Sequence, residues 1–565
     1  MTYWWSRRPL AWLVALCLLL FLPRFFSLPV IDRDEGRFAQ ATKQMVESGD
    51  YLDIRYRDIA RYKKPIGAYW LQSASVSIFG GAEAPIWAYR IPSLLAAIAA
   101  VLLTFLTIRT LIDPRTGFVG AVLLALTLVL AGEARIAKTD AIQLALITAM
   151  LWVVGALFAA RQLAAPKAES AARCDARLPW VFWLSLGGGI LVKGPIAPLV
   201  VGLGIATLVA VERDTRWLWP LAHPLAIAAG CAIFLPWLTY IILKSEGEFL
   251  AASVGEDLFA KVASGQEGHG APPGTHLVLL LLTFWPASAL LVARLGDLPQ
   301  ACTRSWARFA LAWALPTWLV FELVPTKLLH YLLPVFPAIA MLTAGLWLQP
   351  ARPTRAVFRI AAALVLMFGP ALLGALIGFM VLDASAVPLP GLVAFVVAET
   401  FALAAAWSIW RDTRSTVVWQ LVPLALATYA GLFSVAAQYP RLWPSNQLIA
   451  NLEAAQARAE VCRAPLLLNV GYDEPSLVWL SRGDTRRAEA EEAARVLRDE
   501  PCAVAVIEKR SRDRFVKELN RLGIATRLIA APVEGFAIGA GKTVMVEMHV
   551  RQGVSANTAT LSYTP

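Results

Sequence analysis

The chain has 565 residues, of which 58% are hydrophobic and only 16% are charged, and it carries a formal net charge of +11. Soluble proteins carry about 25% charged residues, so this composition excludes that class and indicates a protein embedded in a membrane. The positive charge falls largely in the loops between apolar segments, so it is no evidence for nucleic-acid binding.

Apolar runs of about 20 residues, the length that crosses a bilayer core, recur along the first 437 residues. Together they predict a mainly α-helical, polytopic membrane domain over residues 1–437. About thirteen spans are predicted, at residues 9–29, 89–111, 116–132, 136–160, 179–194, 196–212, 219–243, 277–296, 305–323, 332–349, 358–382, 389–409 and 416–437.

The distribution of arginine and lysine predicts the orientation. If Arg7 and Arg8 are cytoplasmic, every second loop is rich in these residues, as the positive-inside rule requires. The N-terminus is then cytoplasmic and the C-terminus lies outside. The loop of residues 31–88 falls outside and still carries many cations. Because long loops translocate largely regardless of charge, we expect these cations to bind an anionic ligand.

Acidic residues lie at the start of this first exterior loop, and a group of cationic residues follows just before Pro65. Asp34 and Glu35 come just after the first span, where a carboxylate could act as a general base or hold a metal or an amino sugar; a helix N-cap is the alternative. Arg61, Lys63 and Lys64 precede Pro65 and are candidates for phosphate binding, with attraction to anionic lipid as the alternative.

Two charged residues lie within predicted spans, where charge is costly and indicates function by default. Asp140 lies near the exterior face, with Arg135 and Lys138 as candidate partners in a structural ion pair. Lys193 precedes a Gly-Pro break and is either a phosphate ligand or a structural cation. The short exterior link of residues 325–331 adds the cation Lys327 as a candidate phosphate ligand, beside the imidazole of His330 and the phenol of Tyr331. A tyrosine of the membrane interface is the alternative for Tyr331.

The second long exterior loop, residues 244–276, ends in glycine and proline and has the composition of a mobile lid. Its Lys261 is a candidate for contacts with the donor or acceptor, where its charge suits a phosphate, and a solvated charge run is the alternative. His269 and Glu256 are the candidates for holding a metal ion, although no Cys-x-x-Cys or His-x-x-His spacing accompanies them. A divalent metal therefore stays an open alternative, and no cofactor is assigned.

From residue 438 onwards the composition changes. Two buried-strand patterns, APLLLNVG and CAVAVIEK, alternate with the helical patterns AEAEEAARVLRD and SRDRFVKELNRLG, and FAIGAGKTVMVEMHV predicts a hairpin. This alternation predicts a small exterior α/β domain over residues 438–565. Cys462 and Cys502 both fall in it, and we hypothesise that they form a disulfide, because an oxidising compartment permits one.

The motifs DRDEGRFAQ, RYKKPIGAYW, VKGP and PTKLLHYLLP, in this order, resemble those of the bacterial membrane glycosyltransferases of the GT-C class. Within the protein mannosyltransferase-like superfamily, the resemblance is closest to the lipid A 4-amino-4-deoxy-L-arabinose transferases. It covers the whole membrane domain, and more loosely the α/β tail.

The resemblance implies a sugar donor linked to polyprenyl (undecaprenyl) phosphate and an acceptor at the periplasmic face of the bacterial inner membrane, typically lipid A. It implies that Asp34 is a base or a donor-sugar ligand and that Asp140 is a second acid at the membrane face. It further implies that Lys64 and Tyr331 lie near the carrier phosphate. Lys261 occupies a position at which the aminoarabinose enzymes carry arginine. This difference bears on the identity of the transferred sugar more than on the type of reaction.

The predicted function is therefore a glycosyltransferase that modifies lipid A, core lipopolysaccharide or another membrane glycolipid. Two alternatives stay open: a protein or other glycan glycosyltransferase of the same fold, and a transporter or flippase of lipid-linked sugars. A transporter would concentrate its polar groups at mid-membrane and show inverted repeats. The charges here cluster in exterior loops and no repeat is visible, which favours the enzyme.

Overall fold

The structure is a computed structural model that describes residues 7–163, 175–253, 255, 270–349, 354–383, 385–483, 485–538 and 541–553. Contacts divide the chain into two compact units. Unit 1 comprises Met1–Phe26, Met45–Arg55 and Ile59–Val435. Unit 2 comprises Ser27–Gln44, Tyr56–Asp58 and Ala436–Pro565, so it combines the C-terminal part of the chain with a short piece of the first loop.

Unit 1 is helical apart from short strand segments, the two-residue strands being β1 (Arg55–Tyr56, whose Tyr56 is assigned to unit 2) and β2 (Ile59–Ala60). Its helices are α1 (Pro9–Phe21), α3 (Gly67–Ile78), α4 (Ile86–Leu111), α5 (Pro114–Ala125), α6 (Leu128–Glu133), α7 (Asp140–Leu163), α8 (Leu178–Lys193), α9 (Ile196–Glu212), α10 (Pro224–Lys244), α11 (Glu248–Leu250), α12 (Thr275–Thr283), α13 (Ala287–Arg294), α14 (Leu298–Ala301), α15 (Ser305–Leu323), α16 (Phe336–Leu348), α17 (Ala356–Leu382), α18 (Leu389–Trp410) and α19 (Arg414–Gln438, whose last residues belong to unit 2). Helix α2 (Asp34–Ser48) starts in unit 2 and ends in unit 1, and short 3-10 turns cover Gly81–Glu83, Arg216–Leu221, Leu295–Asp297 and Leu333–Val335.

Each predicted span coincides with one of these helices or with a pair of short ones, such as α12 and α13. Six helices in the described part of the chain are long and apolar enough to cross a membrane: α4, α7, α10, α17, α18 and α19. Several shorter apolar helices accompany them, α1, α5, α8 and α9 among them. The chain is thus a multi-pass membrane protein with the predicted helical fold class, and the number of spans stays a prediction.

Small residues allow the membrane helices to approach closely, as is typical where helices pack within lipid. Gly187 of α8 and Gly230 of α10 lie at such a crossing. A Cβ atom on Gly187 would collide with the carbonyl oxygen of Gly230, and one on Gly230 would collide with the backbone of Trp183. The contact between α8 and α10 therefore requires glycine at both positions.

Unit 2 contains the predicted α/β fold, built on a six-stranded sheet. Its strands are β3 (Leu466–Val470), β4 (Thr485–Arg487), β5 (Ala503–Glu508), β6 (Thr526–Leu528), β7 (Val533–Ala537) and β8 (Lys542–Arg551). Its remaining helices are α20 (Pro444–Ala457), α21 (Pro475–Leu480), α22 (Ala490–Asp499) and α23 (Lys509–Leu522), with a 3-10 turn at Pro440–Leu442.

The sheet has the strand order β4-β3-β5-β8-β6, and β7 pairs with β8 as the predicted hairpin. Strands β3, β4 and β5 are parallel, whereas β8 runs antiparallel to its neighbours. Apolar side chains of α20 and α21 cover one face, and those of α22 and α23 cover the other. Cys462 and Cys502 form a disulfide, as hypothesised.

We expect Gly187→Ala to destabilise unit 1 by about 1–3 kcal/mol, the usual cost of overpacking a well-filled site. Gly202→Ala is the matched control, because Gly202 lies in α9 and a Cβ there would meet nothing within 4 Å. Both changes improve helix propensity alike. Thermal unfolding of the detergent-solubilised protein measures the difference, and equal melting temperatures for the two variants would contradict the close packing of α8 on α10.

Candidate functional site

A buried cluster of charged side chains lies where several helices of unit 1 end. Glu133 is the last residue of α6, Asp140 is the first of α7, and Lys193 is the last of α8. Lys138 comes from the link between α6 and α7, and His330 from the link between α15 and α16. At most 17% of any of these five side chains is exposed.

Asp140 is the centre of this cluster. The Lys193 ammonium donates a hydrogen bond to its Oδ1, and Lys138 Nζ lies 3.4 Å from its Oδ2. His330 Nε2 lies 3.8 Å from Oδ1. Of the two sequence neighbours considered as partners, only Lys138 contacts Asp140. Arg135 instead donates to the Pro23 carbonyl at 3.2 Å.

Glu133 forms the second half of the cluster. Its Oε1 lies 2.9 Å from Lys138 Nζ and 3.9 Å from His330 Nδ1. Its Oε2 is buried and accepts no hydrogen bond from any residue that the structure describes. A buried acceptor of this kind is costly unless a donor, from water or from a ligand, reaches it. The cluster thus contains two carboxyl groups, two amino groups and one imidazole.

The local fold explains why these charges occur at helix ends. Asp140 lies at the N-terminus of α7 and Lys193 at the C-terminus of α8, where the helix dipoles favour an anion and a cation respectively. Gly194 then takes a positive φ of 62°, which ends α8 before Pro195 starts the turn into α9. The VKGP motif thus places Lys193 at the C-terminal end of α8.

The segment that carries Lys64 lies beside the same end of α8. Gly67, the first residue of α3, approaches so closely that a Cβ there would come within 2.8 Å of the Leu191 carbonyl oxygen. Lys64 is partly exposed three residues earlier. Arg61 donates through Nε to the hydroxyl of the buried Tyr69 at 3.2 Å. Two predicted phosphate ligands, Lys64 and Lys193, therefore come from segments that touch.

The link between α15 and α16 positions Lys327 and Tyr331 differently. The Lys327 ammonium donates to the carbonyl oxygens of Phe321 at 3.2 Å and Glu322 at 2.6 Å, at the C-terminus of α15. It therefore has a structural role, and its binding to phosphate stays a prediction. Tyr331 is half-buried, with its ring 5.4 Å from that of His330 and 5.8 Å from that of Phe321.

The acids of the first loop belong to unit 2. Glu35 is buried, and its Oε2 accepts a hydrogen bond from the amide of Ile31, which precedes α2, at 2.8 Å. Its roles in chemistry or in capping α2 stay predictions. Asp34 is exposed in the first turn of α2. Asp32, which precedes both, accepts a hydrogen bond from the Ser476 amide at 3.0 Å. Of the two acids proposed for chemistry, Asp34 is the accessible one.

Asp32 shares a buried polar region with Glu474. Burial raises the pKa of both carboxyl groups; that of Glu474 rises from its ordinary 4.5 to about 7, with the charge of Asp32 as the second cause. Arg33 and Arg37 partly offset this by attraction. Glu474 Oε2 is buried and accepts no hydrogen bond from a described residue. This carboxyl group therefore takes up a proton near neutral pH.

Three predicted residues lie outside the described residues: Lys261, His269 and Glu256. Within the part of the chain that the structure describes, no group of three or more His, Cys, Asp or Glu side chains could hold a metal ion. A divalent metal stays a prediction. Glu133 was missed in reading the sequence, although an acid seven residues before Asp140 and inside an apolar run is a signal of the same kind.

We expect Asp140→Asn to destabilise unit 1 by about 3 kcal/mol, because it leaves the Lys193 ammonium buried without its counter-charge. Lys193→Met should cost a similar amount. The double variant should lose clearly less than the sum of the two, since each single change already removes the same ion pair. Unfolding of the four proteins in detergent measures the coupling, and strictly additive losses would contradict it.

Glu474→Gln should remove a pH dependence of stability. A carboxyl group whose pKa is raised by folding stabilises the folded state fully below its unfolded pKa, near 4.5, and loses that contribution as the pH rises through about 7. The protein should therefore be less stable at pH 8 than at pH 5, by about 2 kcal/mol from this group after allowance for solvent screening.

Thermal unfolding at the two pH values checks this, with Glu453→Gln on the exposed side of α20 as the control. The Glu474→Gln protein should show a smaller difference between pH 5 and pH 8 than either the control or the unaltered protein. An unchanged pH dependence would refute the assignment.

Known proteins resemble this chain at the level of sequence. Residues 63–240 match the family of dolichyl-phosphate-mannose-protein mannosyltransferases. The undecaprenyl phosphate-α-4-amino-4-deoxy-L-arabinose arabinosyl transferases of Edwardsiella ictaluri and Aeromonas salmonicida are 26% and 27% identical over 55% and 58% of the chain. The alignments cover 54% and 58% of those proteins, so the chain spans just over half the length of the curated relatives it matches.

A solved structure resembles almost the whole chain. The crystal structure of ArnT from Cupriavidus metallidurans bound to undecaprenyl phosphate superposes with a TM-score of 0.72 and 19% identity, covering 98% of this chain and 99% of that one. The GT-C fold predicted from the motifs is therefore confirmed. The chain resembles the aminoarabinose transferases of that class in sequence, and it has their fold.

Proposed function

We propose that this chain is a glycosyltransferase of the bacterial inner membrane. It transfers a sugar from a polyprenyl phosphate carrier, undecaprenyl phosphate by analogy with the relatives, to lipid A or the lipopolysaccharide core. The N-terminus then lies in the cytoplasm, and the site and the α/β domain face the periplasm.

One observation carries the proposal: the buried charged cluster at the helix ends. Four of its five residues, Glu133, Lys138, Asp140 and Lys193, fall within residues 63–240, the stretch that matches the mannosyltransferase family. A transporter of lipid-linked sugars would hold its polar groups at mid-membrane. Groups at the ends of spans are instead within reach of a head group at the membrane surface.

The cations suit the departure of a lipid phosphate. As the bond between sugar and phosphate breaks, negative charge develops on the carrier, and fixed cations stabilise that charge in a site with little water. Lys64 is proposed as the principal ligand of this phosphate, with Lys193 beside it and the Tyr331 hydroxyl as a further donor. Lys261 and Arg61 are proposed as supporting cations.

The acids suit the sugar and the acceptor. Glu133 Oε2 lacks a donor among the described residues and would accept a hydrogen bond from a hydroxyl or amino group of the donor sugar. Asp140 holds Lys138 and Lys193 in place. Asp34 is proposed as the general base when the acceptor is a hydroxyl group, whereas a phosphate acceptor is already anionic and barely needs one.

A protein acceptor is the second candidate function. The match of residues 63–240 to a family of protein mannosyltransferases favours it. The same cluster would serve both reactions, because the leaving group is a polyprenyl phosphate in each. The acceptor distinguishes them.

Lys64→Ala should lower kcat/KM for transfer by about 10²-fold or more, the usual effect of removing one group that stabilises transition-state charge. Lys63→Ala is the matched control, because Lys63 is the neighbouring, exposed lysine and is not among the ligands proposed for the carrier phosphate. The assay follows release of undecaprenyl phosphate by the purified protein from an undecaprenyl phosphate-linked aminoarabinose donor, with lipid A as acceptor in one arm and a mixture of periplasmic proteins in the other.

The proposal is supported if the unaltered protein and the Lys63→Ala variant transfer the sugar to lipid A and the Lys64→Ala variant does not. Transfer to protein alone would establish the second candidate. Full activity of the Lys64→Ala protein would refute the site assignment, and no transfer to either acceptor by the unaltered protein would refute the proposed function with this donor.

A further inference from the structure

A row of residues spaced by four at the start of α2 contacts the C-terminal part of unit 2, directly or through Arg57. The row consists of Asp32, which precedes the helix, and of Gly36, Gln40 and Gln44 within it. Residues spaced by four lie on the same side of an α-helix. All four belong to unit 2, together with the C-terminal part of the chain that they meet.

The first two contacts of this row are with the start of α21. Asp32 Oδ1 accepts a hydrogen bond from the Ser476 amide at 3.0 Å. Gly36 packs against the preceding residue of the chain there, because a Cβ at position 36 would come within 2.9 Å of the carbonyl carbon and the Cβ of Pro475. Only glycine permits so close an approach. Helix α2 therefore lies directly on the first turn of α21.

The other two contacts continue from the end of α21 to β4. The buried side chain of Gln40 lies against Gly483, where a Cβ would come within 3.0 Å of Gln40 Nε2. Gln44 accepts a hydrogen bond from the Arg57 amide at 2.7 Å and donates one to the Arg57 carbonyl at 3.1 Å. The Arg57 guanidinium donates in turn to the carbonyl of Thr485 in β4. Four contacts on one side thus fix the rotation of α2 about its own axis.

Asp34 lies on the other side of the helix from this row. Because an α-helix has 3.6 residues per turn, position 34 points about 160° away from position 36. Asp34 is exposed, whereas Gly36 is buried. The contacts of the row therefore hold α2 on unit 2 and leave the Asp34 carboxylate accessible.

The backbone between Asp32 and Asp34 has an unusual conformation. Arg33 takes a positive φ of 68°, which residues other than glycine rarely adopt. Its carbonyl accepts a hydrogen bond from the Arg37 amide at 3.2 Å, so the helix starts directly after this turn. Such a conformation persists only where neighbouring contacts hold it. Here the helix holds it on one side and the contact between Asp32 and Ser476 holds it on the other.

Overall stability does not explain the acid at position 32. Burial is the largest influence on the Asp32 carboxyl group and raises its pKa, and the hydrogen bonds from Ser476 only partly offset this effect. An acid whose pKa rises on folding is destabilising once it is ionised at neutral pH. Carboxyl groups of this kind are typical of functional sites. The contact with Ser476 is better explained by the group that it positions.

We propose that the α/β domain positions the Asp34 carboxylate for the transfer reaction, with Asp32 as the positioning residue that fixes the start of α2 on α21. This inference rests on the proposed function, in which Asp34 is the general base. It gives the C-terminal part of unit 2 a part in catalysis. Asp32 acts through Asp34 and does not itself contact the substrates.

The test compares two substitutions of Asp32 in the transfer assay, with the acceptor that the unaltered protein uses. Asp32→Ala removes the acceptor of the Ser476 amide. It should lower kcat at least about tenfold and leave KM for the donor nearly unchanged, because a displacement of about 1 Å at a reacting group can cost about 10²-fold. Asp32→Asn keeps an oxygen acceptor and should retain roughly half of kcat or more.

Asp113→Ala is the matched control. Asp113 also precedes a helix, α5, and accepts backbone hydrogen bonds from Arg115 and Thr116 in its first turn, but it has no part in the proposed site. Loss of its contacts should leave kcat unchanged. If Asp32→Asn is as inactive as Asp32→Ala, the Asp32 carboxylate takes part in the chemistry itself, and the inference is overturned.

A double variant tests whether Asp32 acts through Asp34. In the Asp34→Asn protein, the added Asp32→Ala change should lower kcat by no more than about twofold further, as expected of residues that act as a unit. A further loss as large as that of Asp32→Ala alone would overturn the inference. Full activity of the Asp34→Asn protein would also overturn it, because Asp34 would then have no role to be positioned for.

Hydrogen exchange tests the contact without any substrate. In the detergent-solubilised full chain, Asp32→Ala should speed exchange of the amides in the first two turns of α2 about fivefold, the equivalent of one lost hydrogen bond, and Asp32→Asn should not. Unchanged exchange in Asp32→Ala would overturn the inference whatever the activity. Full activity of Asp32→Ala overturns this inference alone, whereas absence of transfer by the unaltered protein refutes the proposed function.

Discussion

The ion pair between Asp140 and Lys193 is the interaction on which the polar part of unit 1 depends. A charge at the end of a membrane helix is costly unless an opposite charge meets it. Here the acid begins one helix and the lysine ends another, so both helix dipoles support the pair. Lys138, Glu133 and His330 then extend this pair into a cluster of five residues.

The cluster still leaves one acceptor available. Glu133 Oε2 is buried and receives no hydrogen bond from the described residues. Because a buried acceptor is costly without a donor, a hydroxyl or amino group that reached this atom would be bound favourably.

The sequence predicted what depends on local pattern. Apolar runs of about 20 residues predicted the membrane helices, short buried-strand runs predicted β3 and β5, and Asp140 and Lys193 were singled out because intramembrane charge is rare. Their contact could not be predicted, since 53 residues separate them. The same holds for Asp32 and Ser476, 444 residues apart, whose hydrogen bond joins a piece of the first loop to the C-terminal part of unit 2. Composition does not reveal on which unit a short loop packs.

The central claim is that a sugar moves from a polyprenyl phosphate to a glycolipid at this site. Mass spectrometry of lipid A and core oligosaccharide from a strain lacking the gene, compared with its parent, tests this claim most directly. The account predicts that one sugar substituent is missing from the deletion strain, and that the intact gene restores it. Identical lipid A and core in the two strains would contradict a lipopolysaccharide acceptor and with it the main proposal.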